Sequence, residues 1–215
     1  MYRNYVCKLR VSTDAYFYKV KEVTAFGYFD GENNILVTAA HIVTDLLGCY
    51  PASNQSTLYV EFENHNGVLH PNNLVATFVM SRLNNQLNFN VSSPFPFFDI
   101  AEIKFEGACP VTQFFGPGSY NVGDHIEGVG FPVGSQSIQV LKGNITNINH
   151  QPCTQISANL SVRSEVNHNS QPGCSGGPYI IMDAEENPCV IGCLIGSMSL
   201  RSNSPVAIQC ISNLR

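Results

Sequence analysis

Apolar and polar residues alternate along much of this chain with the two-residue period of strands that bury one face. Residues 16–20 (Tyr-Phe-Tyr-Lys-Val) read as such a strand. Residues 25–29 and 35–38 flank the turn formers of 30–34, which predicts a β-hairpin. Further strands are expected at 58–62, at 74–80 and over the alternating run from Phe97 to Phe105. Beyond a turn-rich crossing at 107–118, strands are predicted at 126–130, 137–141 and 143–148, and along 156–166. Residues 84–96, rich in Asn, Ser and Pro, read as a surface loop. No helical periodicity sustains itself in the second half, so the expected class is all-β, and 215 residues suit one β domain or two small barrels packed together.

One stretch carries candidate chemistry: Gln171-Pro172-Gly173-Cys174-Ser175-Gly176-Gly177-Pro178. Its glycines permit a tight backbone turn, and a Gly-x-Ser spacing lets the amides of Gly173 and Ser175 point into one small space, as an oxyanion hole requires. A serine hydroxyl is a weak nucleophile until a histidine takes its proton and a carboxylate orients that histidine. Both are available upstream. His41 follows the β-branched run Ile35-Leu36-Val37-Thr38 at an expected strand end, and Asp99 heads the apolar run Ile100-Ala101-Glu102-Ile103. His65, His70, His125, His150 and His168 lie among loop-forming residues, a weaker setting for a base. Asp45 is too near His41 in sequence to orient its imidazole, and Asp124 belongs to a Gly-Asp turn.

Three of these segments, with a fourth, carry a family resemblance. Thr38-Ala39-Ala40-His41, Asp99-Ile100-Ala101, Pro172-Gly173-Cys174-Ser175-Gly176-Gly177-Pro178, and Gly128-Val129-Gly130-Phe131-Pro132-Val133-Gly134 followed by Lys142-Gly143-Asn144 occur in one order. Together they resemble chymotrypsin-fold serine proteases, most nearly the HtrA/Deg protease domain. The resemblance implies two six-stranded antiparallel barrels with the active site in the groove between them, residues 1–112 forming the first and 113–215 the second. It implies a serine endopeptidase acting through His41, Asp99 and Ser175 and an acyl-enzyme, with Gly173 and Ser175 as oxyanion donors. It also implies a substrate pocket near Asn169, Leu194, Ile195 and Gly196. Asn169 stands where an aspartate would select Arg or Lys, so a small or medium apolar residue is the expected P1. Neither partner of a trypsin-type zymogen switch is present, and the chain leaves no room after the second barrel for the PDZ domain HtrA proteins usually carry. Two other readings fit the same residues: a viral polyprotein-processing protease, and a catalytically silent binding module of this fold. In picornavirus-type relatives a cysteine takes the nucleophile's place; here the cysteine, Cys174, falls one position early.

Charge narrows the partners. A formal net charge of −5, 13% charged residues and no basic cluster provide no footprint for nucleic acid or an anionic membrane, so neither is expected as a partner, and the resemblance implies a protein or peptide substrate. No apolar run has the length of a membrane span or signal peptide, which suggests a cytoplasmic protein, or a virus-encoded one in a host cytoplasm. The eight cysteines depart from the secreted trypsin pattern and include no Cys-x-x-Cys pair, so free thiols are expected and neither a metal nor another cofactor is called for. Homo-oligomerisation, common among HtrA proteins, is left open by residues 1–24.

Overall fold

The computed structural model describes residues 2–63, 74–80, 99–105, 109–149, 163–166, 171–197 and 206–210. Its first sheet contains β1 (Val6–Ser12), β2 (Val20–Phe29), β3 (Asn34–Thr38), β4 (Gln55–Glu63), β5 (Leu74–Met80) and β6 (Ala101–Phe105). These close into a barrel in the order β1-β2-β3-β6-β5-β4, with antiparallel pairing throughout. A short helix, α1 (His41–Leu47), follows β3 and ends at Gly48, whose φ of 73° is the left-handed cap that glycine adopts without steric cost.

Among the described residues the second sheet has seven strands: β7 (Gly116–Pro117), β8 (His125–Gly130), β9 (Gln139–Asn149), β10 (Arg163–Val166), β11 (Pro178–Met182), β12 (Pro188–Ser197) and β13 (Val206–Cys210). Their order is β11-β8-β9-β10-β13-β12-β7, and β11 pairs with β12 as well as with β8. The apolar core is continuous from barrel to second sheet. Phe26, Phe78 and Phe115 are fully enclosed with Val129, Ile180 and Cys193 in one cluster, while Ile126, Ile145, Tyr179, Ile191 and Leu194 form another within the second sheet. This burial is the main force holding the two sheets together.

The expected hairpin at 25–38 is present, as are the strands at 58–62, 74–80 and 126–130. Three expectations need correction. Residues 16–19 are not strand but the loop between β1 and β2. The reason is local: Asp14 Oδ1 accepts the N–H groups of Tyr16 (3.0 Å) and Tyr18 (3.3 Å), offering the backbone a turn in place of a ladder, and Phe17 takes φ 55°. The expected strands at 137–141 and 143–148 merge into one, β9, which starts at Gln139 and leaves Ser137 and Ile138 outside, because Gly143 pairs with Ile126 without breaking the ladder. His41 is the first residue of α1 rather than the end of β3. The expected loop at 84–96 and most of the strand at 156–166 lie outside the described residues.

Candidate active site

Asp99 is wholly buried, and both its carboxylate oxygens engage His41. Oδ1 accepts the His41 backbone N–H at 2.7 Å, and Oδ2 lies 2.7 Å from Nδ1. The first contact satisfies a donor that the opening turn of α1 leaves without an intrahelical partner. The second fixes the imidazole, whose side chain is 20% exposed. Burial by itself would lower the His41 pKa, but the charge and hydrogen bond of Asp99 outweigh it, so the imidazole titrates above its ordinary 6.5. Asp45, set aside on sequence grounds, pairs with Lys21 at 3.0 Å. His125 is exposed on β8; the other four histidines lie outside the described residues.

Ser175 is half-buried at the end of a turn whose backbone is held from both sheets. Cys174 N–H donates to Gln171 C=O at 3.1 Å, and Gly173 has φ 91°. With Pro172 before it, this is a type II turn, which requires a positive φ at its third residue. Val133 N–H donates to Pro172 C=O at 2.8 Å. In a trans peptide the carbonyl and the following N–H point in opposite directions, so Gly173 N–H faces away from Val133. Among the described residues neither Gly173 N–H nor Ser175 N–H has an acceptor. A Cβ on Gly173 would sit 2.5 Å from Val133 N and 2.6 Å from Phe131 O, so only glycine fits.

The turn also abuts the segment that delivers the base. A Cβ on Gly176 would overlap the Thr24 carbonyl oxygen and Thr38 Oγ1 and lie 3.0 Å from Ala39 N, and its φ is 82°. Gly176→Ala therefore combines a strained backbone with a collision against two strands of the barrel. We expect it to lower stability by about 4 kcal/mol, adding the cost of overpacking to that of left-handed backbone, and the melting midpoint by about 10 °C. Thermal denaturation followed by circular dichroism measures this; an unchanged midpoint would show that the Gly176–Thr38 approach is wider than described.

The remaining expected site residues are placed as follows. Leu194 is enclosed in the second core, and what it offers the turn is main chain: its C=O accepts Gly176 N–H at 2.7 Å and its N–H donates to Gly177 C=O at 2.8 Å. Ile195 is buried beside it, and Gly196 pairs with Ala207 of β13. Asn169 lies outside the described residues. Cys174 is buried, and burial pushes its thiol up to about 11, the opposite of what a thiolate nucleophile needs. Among the described cysteines, Cys7, Cys49, Cys109, Cys174, Cys189 and Cys193 are free thiols. No group of three metal-ligating side chains occurs among the described residues, nor does a helix long and apolar enough to cross a membrane.

Sequence reasoning missed Thr24 and Glu22, and gave Val133 only as part of a family motif. Thr24 Oγ1 donates to Gly173 C=O at 3.0 Å, and Glu22 Oε2 accepts Gly134 N–H at 3.0 Å next to the Val133 that holds Pro172. Glu22 is itself flanked by Lys8 at 3.0 Å and by Arg10, which also pairs with Glu61. The one available signal was the two-residue spacing of Glu22 and Thr24, which puts both on one face of a strand.

Against solved structures the overall likeness is broad. The fold is one shared with solved HtrA-type proteases. The HtrA-type protease AlgW, solved with a tripeptide, superposes with TM-score 0.63 at 17% identity over 99% of this chain. The Rv3671c protease from M. tuberculosis in its active form gives 0.55 at 18% over 99%, and a serine endoprotease from Yersinia pestis 0.57 at 15% over 97%. This chain spans 58% of the AlgW chain, 78% of the Rv3671c chain and 60% of the Yersinia chain. No family model matches the sequence, and no curated protein matches it.

Proposed function

We propose that the protein is a serine endopeptidase that cleaves peptide bonds through an acyl-enzyme. The observation that carries this reading is the double grip of buried Asp99 on His41, which fixes the imidazole's tautomer with Nδ1 protonated and Nε2 free to accept a proton. In the reaction Ser175 Oγ attacks the scissile carbonyl as His41 Nε2 takes its proton. The oxyanion is received by the N–H groups of Gly173 and Ser175. His41 then protonates the leaving amine, and water, deprotonated in turn by His41, releases the acyl group. The unclaimed amides and the packing of Gly176 against Thr38 and Ala39, just before His41, support this assembly.

A peptide substrate is also supported by the tripeptide on AlgW. In this reading residues 1–112 and 113–215 are the two lobes of one protease domain, and the β11–β12 pairing supports a second barrel. In the same reading Ile195 and Gly196, with the Leu194 main chain, are the proposed border of a pocket for a small or medium apolar P1 residue, and Asn169 is carried with them from the sequence alone.

Labelling with a fluorophosphonate tests the reading. The native protein is expected to acquire one stoichiometric label at Ser175, recovered in the peptide containing Pro172–Pro178 by mass spectrometry, and to keep that reactivity after brief iodoacetamide treatment, because the Cys174 thiol is enclosed. Absence of label from folded protein would favour a silent binding module. Loss of labelling after alkylation would point instead to a thiol.

A further inference from the structure

Thr24, on β2 of the barrel, makes four polar contacts, three to residues 131, 173 and 175 beyond the barrel and one to Thr38 of β3. Its hydroxyl oxygen accepts Phe131 N–H at 2.9 Å, which leaves its single proton to donate to Gly173 C=O at 3.0 Å. Its N–H donates to Ser175 C=O at 3.0 Å. Its own C=O accepts the Thr38 hydroxyl at 2.8 Å, on the strand that leads into His41. All four lie in the interior, where Thr24 and Thr38 are 0% exposed, so each is shielded from exchange with water.

We propose that Thr24 is a positioning residue for the reaction described above, one side chain and its peptide groups holding both oxyanion residues and the strand that leads to the base in register. The inference rests on that reading for its catalytic meaning, though not for its geometry. Gly173 sits between two peptide planes. Val133 N–H holds the plane before it, and the Thr24 hydroxyl, with Cys174 N–H bonded to Gln171, holds the plane after it. Turning Gly173 N–H away from the cleft would convert the type II turn to type I and rotate one plane against the other, breaking at least one of these contacts. The turn is thereby kept competent without ligand. The arrangement couples the two sheets at the Gly173 turn and at the strand leading to His41.

The test compares Thr24→Val, which keeps shape and removes both hydroxyl bonds, with Thr24→Ser, which keeps them. For a peptide substrate Thr24→Val is expected to lower kcat about 30-fold at unchanged KM, a fraction of the 10²–10³ that follows loss of an oxyanion donor, and Thr24→Ser to stay within about threefold of the parent. Independently of activity, the Gly173 carbonyl ¹³C resonance should move in Thr24→Val and hold in Thr24→Ser. An unmoved resonance in folded Thr24→Val overturns the inference. So does an unchanged kcat. If the parent protein hydrolyses nothing and takes no fluorophosphonate, the proposed function fails, while the carbonyl resonance still decides whether Thr24 holds the turn. Should Thr24→Val not fold, the parent decides it: a slowly exchanging Thr24 hydroxyl proton close to Phe131 N–H supports the contact, and a rapidly exchanging one refutes it.

Discussion

Ser175→Ala is expected to lower kcat by about six orders of magnitude, to the residual rate that oxyanion donors and substrate binding supply alone. The size of the effect follows from the role: without Oγ no acyl-enzyme forms, and His41 has no nucleophile to activate. The fold should be indifferent. What ties residue 175 to the barrel is its carbonyl oxygen, bonded to Thr24 N–H at 3.0 Å, and alanine keeps that carbonyl. Stability should stay within about 0.5 kcal/mol of the parent, as for substitutions that remove no packed or bonded group. KM should also be preserved, because the proposed pocket borders and the Gly173 turn are untouched. Turnover of a peptide substrate, alongside a melting curve, measures all three. A variant that retained even a hundredth of the parent kcat would require another nucleophile. The adjacent thiol is poorly suited to that part, buried and raised to about 11.

The parts of this molecule that sequence exposes are those whose chemistry is written in consecutive residues. Thr38-Ala39-Ala40-His41 announces a base because a strand ends and a histidine begins within four positions. Pro172-Gly173 announces a type II turn because proline fixes one dihedral and glycine permits the other. The barrel strands show because burial of one face imposes alternation. Alternation misleads at Tyr16-Phe17-Tyr18, since the pattern records side-chain polarity and is blind to Asp14 drawing two backbone N–H groups into a turn; Tyr16 and Tyr18 are 80% and 86% exposed. Gly143 misleads in the opposite direction, as a turn former that a long ladder overrides.

Thr24 could not be found at all by reading along the chain. Its hydroxyl partners, Phe131 and Gly173, are 107 and 149 residues away, and nothing in a lone strand threonine says which carbonyl it will meet. The same holds for Glu22 and Gly134. A site assembled between two sheets thus reveals its reacting groups locally and conceals the groups that hold them, because support comes from whichever strand tertiary packing brings opposite.

Asp99→Asn is expected to lower kcat by about four orders of magnitude while leaving the protein folded. The geometry dictates the orientation of the new side chain. His41 N–H donates at 2.7 Å to one oxygen of Asp99, so the asparagine carbonyl must take that place, and its NH₂ group is left facing Nδ1. An NH₂ group can only donate there. Nδ1 must therefore become an acceptor, the proton moves to Nε2, and the nitrogen that should accept the Ser175 proton already carries one. The charge on the pair changes in step. Burial lowers the His41 pKa and the Asp99 carboxylate more than reverses this, so removing the carboxylate exposes the burial effect and the imidazole should titrate below the parent value. Its Cε1 proton, followed by NMR against pH, measures the shift directly. The sign carries over to stability. In the parent a raised folded pKa contributes stability that is fully present below the unfolded value of 6.5 and is lost as pH rises through the folded pKa. The asparagine variant lacks that contribution, so the stability gap between the two proteins should widen on the acid side of 6.5 and narrow on the alkaline side. A gap independent of pH, together with an unmoved His41 titration, would show that the carboxylate does not hold the imidazole in solution, and the assignment of His41 as the oriented base would fall with it.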